Sequence, residues 1–165
     1  MKSLAVAFTG PSDSGKTTLI LKVAAILKKE HALAIVKNDP SDKAIFDVEG
    51  KDSWKFAQTG AEVVVTSPAR TTLFSKQHKD LDAIIALLGD FDFLLVEGLK
   101  NLPLPRIAIF RNKLDESYFD CSDAIAIDGS IALENYTIPS HIALLDLNNP
   151  EEVVAWILKH AKKVK

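Results

Sequence analysis

Gly10-Pro11-Ser12-Asp13-Ser14-Gly15-Lys16-Thr17-Thr18 constrains this chain more than any other stretch, because it fits the phosphate-loop pattern G-x-x-x-x-G-K-[ST]. Its flanks agree with that reading. Residues 3–8 form a short apolar run that stops before Gly10, as a buried parallel strand does. From Thr17 the chain reads Thr-Thr-Leu-Ile-Leu-Lys-Val-Ala-Ala-Ile-Leu-Lys-Lys, a strong helix former with basic residues at its end. Strand, glycine loop and helix therefore occur in the order a polyphosphate site needs.

The spacing has a chemical reason. Gly10 and Gly15 let the backbone curl so that the N–H groups of Ser12, Asp13, Ser14 and their neighbours point inward at phosphate oxygens. The first helical turn, with Thr17 and Thr18, adds unpaired N–H donors and the positive end of the helix dipole. Lys16 neutralises the β- and γ-phosphates in such a loop, and the Thr17 hydroxyl binds Mg²⁺. The expected ligand is a nucleoside polyphosphate.

Downstream, apolar runs alternate with helical patterns. Residues 32–36, 62–66, 91–96, 106–110, 124–127 and 142–145 read as strands, and 71–74 as a further short one. Leu81, Ile84, Ile85 and Leu88 give 79–89 an amphipathic helical face. Asp52 and Ser53 are candidate caps for a short helix closed by Gly60. Asn149-Pro150-Glu151-Glu152 opens a last helix, and Lys162–Lys165 reads as its frayed basic end. Such alternation implies an α/β fold of P-loop NTPase type: a mostly parallel, doubly wound sheet flanked by helices. The 165 residues are expected to form a single nucleotide-binding domain.

Asp92-Phe93-Leu94-Leu95-Val96-Glu97-Gly98 resembles a Walker B strand, which delivers a carboxylate to the ligand-bearing edge of the sheet. Glu97 is thus a candidate to hold Mg²⁺ through water or to polarise an attacking water. Asp39, at the end of the neighbouring strand, is a weaker candidate for the same metal. Asn112-Lys113-Leu114-Asp115 matches N-K-x-D, the guanine-reading motif of GTPases. It follows the first strand after Glu97, whereas that motif usually follows the second. Asp128, at the end of 124–127, has the expected position without the motif.

Composition excludes several other classes. Net charge is −2, from 20 basic and 22 acidic side chains, so no broad cationic surface for nucleic acid is expected. No apolar run has transmembrane length, and the N-terminal run reads as a core strand rather than a signal peptide. Cys121 is the sole cysteine, which excludes an intrachain disulfide and suits a reducing, cytoplasmic setting. His31, His78, His141 and His160 are dispersed without the spacing of a zinc site.

The phosphate loop, Gly50-Lys51-Asp52-Ser53, Gly60-Ala61, Val96-Glu97-Gly98-Leu99-Lys100, Pro105-Arg106-Ile107 and Ala143-Leu144-Leu145-Asp146-Leu147-Asn148 occur in a telling order. In that order they resemble the molybdopterin-guanine dinucleotide biosynthesis protein B family across nearly the whole chain. The resemblance implies a dimeric GTP-binding protein with slow hydrolysis. It further implies a guanylyltransferase partner, of the molybdenum cofactor protein A type, that attaches GMP to molybdopterin. Within it, Lys51 or Asp52 becomes a candidate contact for the nucleotide or a pterin phosphate; Lys100 and Arg106, which flank the proline loop near Glu97, are further candidate contacts for an anionic ligand such as a pterin phosphate.

The run Lys37-Asn38-Asp39-Pro40-Ser41 lacks the histidines usual in that family after the second strand. Asp13 stands where a small residue, often glycine, is usual. The alternatives from other classes are a small P-loop kinase or ATP-dependent ligase, and a metal-delivery GTPase. The first calls for an arginine-bearing lid, whereas the chain's arginines are only Arg70, Arg106 and Arg111. The second calls for a His-rich tract or a Cys-His pair, which the sequence lacks.

Overall fold

The strand reading of residues 3–8 is realised as β1 (Leu4–Thr9), the central strand of a largely parallel sheet in the computed structural model, which describes residues 2–165. The chain divides into two compact units: the residues up to Asn38 with Leu88–Lys165, and Asp39–Leu87.

In the first unit β1 leads through the glycine loop into α1 (Lys16–Leu27), and β2 (Leu33–Lys37) follows. The later strands are β5 (Phe93–Glu97), β6 (Arg106–Phe110), β7 (Ala124–Ile127) and β8 (Ala143–Asp146); α4 (Pro150–His160) and β9 (Lys162–Lys163) end the chain. The sheet order is β2-β5-β1-β6-β7-β8, and these strands pair in parallel. The Glu97 strand thus lies directly beside the loop strand, with Phe8 opposite Glu97.

The central strands are apolar without alternation because both of their faces are covered. One core holds Val6, Phe8, Leu95 and Ile107 against the α1 stripe Leu19, Ile20, Val23 and Leu27 and against Val153, Trp156 and Ile157 of α4. A second core gathers Ala108, Phe110, Ile125 and Ile127 with Leu114, Phe119 and Ile142. Each fully buried aliphatic side chain in these layers contributes about 1.5–3 kcal/mol. Between β6 and β7 a 3₁₀ turn, Glu116–Cys121, supplies Phe119 to the second core.

At α4 the cap expected from the sequence forms: the Asn149 side chain accepts from the Glu152 amide at 3.2 Å, with Pro150 at the helix start. The basic tail departs from expectation. The helix ends at His160, and Lys162–Lys163 pair antiparallel with Leu4 and Ala5 of β1. β6 pairs only with Ala7–Thr9 of β1. The tail therefore satisfies backbone groups on the stretch of β1 that β6 leaves open, which a frayed helix end could not do.

In the second unit, α2 (Asp52–Gln58) precedes a hairpin of β3 (Val63–Thr66) and β4 (Thr71–Phe74), and α3 (Leu81–Leu88) follows, all but its last residue belonging to this unit. The hairpin forms its own two-stranded antiparallel sheet, with Val63 opposite Phe74 and Thr66 opposite Thr71. The expected side-chain cap on α2 is absent: Lys51 is the cap residue and makes no side-chain cap bond. Ser53 instead donates its hydroxyl to Asp47 Oδ1 at 3.0 Å. Gly60, at φ +84°, closes α2 in the left-handed conformation that glycine tolerates.

Candidate functional site

The loop between β1 and α1 is built so that only glycine fits its start. Gly10 has φ +140°, and a Cβ there would come within 2.4 Å of the Ile109 carbonyl oxygen on the adjacent strand. Gly15 enters α1 at φ +93°. Asp13 also has positive φ, +59°, which explains why a glycine suits that position. Ser12 and Asp13 are exposed, whereas Ser14 is buried.

Three features of the loop fit a polyphosphate. The Ser14 hydroxyl is buried without a hydrogen-bond partner in the chain. No side chain caps α1 and its first turn contains no acid, so its N–H donors and positive dipole end are left for an outside anion. Lys16 folds back on the loop, donating to the carbonyls of Gly10 at 2.9 Å and Pro11 at 2.8 Å. Burial lowers the Lys16 pKa; Glu97 and Asp13 oppose that effect and Lys37 adds to it. A phosphate is the charge that such a partly desolvated ammonium lacks. Thr17 and Thr18 lie exposed in the first turn of α1.

Glu97 ends β5, and its Oε2 accepts from Lys37 Nζ at 2.7 Å. It lies within electrostatic reach of Lys16. Among the described residues no group of three or more His, Cys, Asp or Glu is placed to hold a metal ion by itself. A Mg²⁺ at Thr17 and Glu97 would therefore draw most of its ligands from phosphate and water, its usual habit. Asp39, the other metal candidate, opens the second unit. Its carboxylate accepts from the amides of Ser41, Lys43 and Ala44 at 3.3, 2.9 and 2.8 Å, folding the loop after β2.

The structure separates the candidate ligand contacts. Arg106 is 1% exposed and donates to the carbonyls of Gly98 at 2.9 Å, Leu99 at 2.8 Å and Leu102 at 3.3 Å. In this structure the guanidinium, expected from the sequence to face an anionic ligand, pins the loop that follows Glu97. Lys100 is exposed and holds its Nζ 3.6 Å from the Tyr118 ring centre, a cation–π contact. Lys51 and Asp52 are exposed at the start of α2 in the second unit, where Asp52 pairs loosely with Lys55 at 3.9 Å.

Of the two candidate base readers, Asp115 caps its own 3₁₀ turn, accepting from the Ser117 amide at 3.0 Å and hydroxyl at 2.6 Å. Asp128 instead joins a group that reaches the phosphate loop through Arg111, a residue that sequence reasoning did not single out. Arg111 Nε lies 3.3 Å from Asp128 Oδ2. The guanidinium carbon of Arg111 lies 3.5 Å from where a Cβ on Gly15 would stand. The available signal was its position just beyond β6, the strand paired with β1.

A glycine loop between the first strand and first helix, with a carboxylate-tipped strand beside it, defines a P-loop nucleotide-binding fold. The chain belongs to the molybdopterin guanine dinucleotide synthesis protein B family, whose sequence profile matches residues 5–128. A relative from Methanocaldococcus jannaschii is 31% identical over 133 residues, which are 77% of this chain and 53% of that protein. The chain thus spans about half the length of that relative. A molybdopterin-guanine dinucleotide biosynthesis adapter protein from Haemophilus influenzae is 28% identical over 90% of this chain and 84% of its own length. The crystal structure of Bacillus subtilis MobB superposes with a TM-score of 0.75 at 23% identity, covering 98% of this chain and 99% of that one. At that identity the likeness speaks for the fold.

Proposed function

We propose that this chain is a GTP-binding adapter protein of molybdenum cofactor biosynthesis, serving the attachment of GMP to molybdopterin. Membership of the family supports the pathway, and the name of the Haemophilus influenzae relative supports the adapter role. One observation carries the nucleotide reading: the glycine loop holds a buried, unpartnered Ser14 hydroxyl beside an uncapped helix start. In this reading Ser12, Asp13, Ser14 and Gly15 offer backbone N–H groups to the phosphates. Lys16 leaves the carbonyls of Gly10 and Pro11 for the β- and γ-oxygens. Thr17 and Glu97 hold Mg²⁺, and Asp128 reads the base. The protein acts as a homodimer with a guanylyltransferase partner, and GTP hydrolysis is slow.

Titration of GTP, GDP and ATP against the purified protein with Mg²⁺ tests the reading. Lys16→Ala is expected to weaken GTP binding by about 2–4 kcal/mol, as loss of a desolvated charge pair does. Unchanged GTP affinity in a folded Lys16→Ala protein would remove the phosphate-loop assignment. Tight ATP binding without GTP binding would move the chain to the kinase class.

A further inference from the structure

The face of the sheet that α1 covers carries a second lysine near the phosphate loop. Lys37, Glu97 and Phe8 stand opposite one another in register across β2, β5 and β1. Partners in register on parallel strands share a face. Here that face belongs to α1, since Phe8 shares its core with Leu19, Ile20 and Val23. Lys37 and Glu97 are the last residues of their strands, on the edge where β1 gives way to the phosphate loop.

Lys37 already reaches across to β5. Its Nζ donates to Glu97 Oε2 at 2.7 Å, and β1 is the next strand, about 4.8 Å beyond β5. The Lys37 side chain is 71% exposed and that of Glu97 16%, so the lysine is the mobile member of the pair. An ion pair this open adds little to stability and gives way to a stronger anion. Burial first, and Lys37 in addition, lowers the Lys16 pKa against Glu97 and Asp13. The two ammoniums therefore repel each other across the site, and a phosphate between them relieves that repulsion.

We infer that Lys37 is a γ-phosphate contact by which the phosphate loop distinguishes GTP from GDP. The sheet order sets the direction of the ligand. Asp128 and Arg111 follow β7 and β6 on one side of β1, whereas Glu97 and Lys37 end β5 and β2 on the other. A nucleotide with its base at Asp128 runs its phosphates across β1 and ends them beside Glu97 and Lys37. With GTP in the loop, the Lys37 ammonium turns from Glu97 to a γ-phosphate oxygen, a move its long stem and rotatable head allow. GDP stops one phosphoryl unit short, so Lys37 stays on Glu97. The inference rests on the nucleotide reading above, and deepens it by naming the group that senses the terminal phosphate.

Calorimetric titration of the full chain, Lys37→Met and Lys37→Arg with GTP and with GDP, each with Mg²⁺, tests it. Methionine keeps the stem and removes the charge. Lys37→Met should weaken GTP at least ~10-fold and GDP less than ~2-fold, and Lys37→Arg should keep most of the GTP preference. Thermal unfolding should barely move, because the ion pair is exposed. Equal losses for GTP and GDP overturn the inference, as do full GTP affinity in Lys37→Met and a parent protein without GTP preference. Lys37→Gln decides by the same ratio if Lys37→Met does not fold. A parent that prefers GTP, with a Lys37→Met that keeps the preference, removes Lys37 alone. A parent that binds neither nucleotide removes the phosphate-loop reading and this inference together.

Discussion

Arg111 Nε stands 3.3 Å from Asp128 Oδ2, while the same guanidinium packs against Gly15 at the entry to α1. The loops leaving β6 and β7 are thereby tied to each other and to the phosphate loop. Asp128 Oδ1 accepts from the amide and hydroxyl of Ser130, and Ser130 Oγ accepts from the Asn112 amide at 2.7 Å. The Ser130 bonds first, and Arg111 after them, hold the Asp128 carboxyl below the usual carboxylate range. It is an ionised acceptor at any pH where a nucleotide would meet it.

That network separates the two base-reading candidates. Losing a carboxylate that faces guanine leaves the base N–H donors unpaired and penalises GTP but not ATP. Asp128→Ala is expected to shrink the GTP-over-ATP preference by about 1–3 kcal/mol, and Asp115→Ala to change it little. Nucleotide competition on the two variants reads both. Should Asp115→Ala alone erase the preference, the N-K-x-D match outranks the strand count.

Much of this fold is legible in the sequence because its signals are local. The apolar run before Gly10, the Asn149-Pro150 helix start and the Gly60 stop each lie within a few residues of what they determine. Arg111 and Arg106 are different. Nothing beside Arg111 tells it from any exposed arginine until β6 is placed next to β1, and nothing beside Arg106 announces three carbonyls around it. The tail departs from its sequence pattern for the same reason. Lys162 and Lys163 suit a helix end by composition, yet the open edge of β1 that captures them is set by where β6 begins.

Asp13 tests how far the loop is tuned. Its φ of +59° suits glycine, and its carboxylate lies close enough to raise the Lys16 pKa. In a polyphosphate site the same charge repels the ligand. Asp13→Gly is expected to tighten GTP binding by about 0.5–1.5 kcal/mol, with a gain that shrinks as salt rises. Calorimetric titration at two salt concentrations measures it. Weaker binding in Asp13→Gly would mean that the carboxylate serves the ligand, as through a bound cation.

Asp92 offers a pH test of the fold itself. Its Oδ2 accepts from the Ala32 amide at 3.0 Å and its Oδ1 from the Lys2 amide at 3.1 Å, which ties the starts of β1 and β2 to that of β5. The Ala32 bond first, helped by Lys2, lowers the Asp92 pKa against the opposing effect of burial. A carboxyl lowered on folding stabilises the protein above its unfolded pKa, and that contribution fades as pH falls through the folded value. Asp92→Ala should therefore unfold at lower temperature at neutral pH, and the gap from the parent should close below the usual carboxylate range. Thermal unfolding followed across the acid limb shows it; a gap that stays constant with pH would assign the loss to packing.

Arg106 separates structure from ligand contact. The side chain is almost wholly enclosed, and burial lowers its pKa although Cys121 and Asp123 oppose the shift. Its three carbonyl partners lie in the loop directly after Glu97. Arg106→Gln keeps some polarity but is too short to reach all three, so buried acceptors are left unpaired. The expected cost is about 3 kcal/mol of folding stability. Binding of GTP by the protein that remains folded should change far less. Denaturant unfolding paired with ligand titration at low temperature distinguishes the roles. A variant that kept its stability but lost anion affinity would return Arg106 to the ligand site and require its guanidinium to leave the carbonyls when ligand binds.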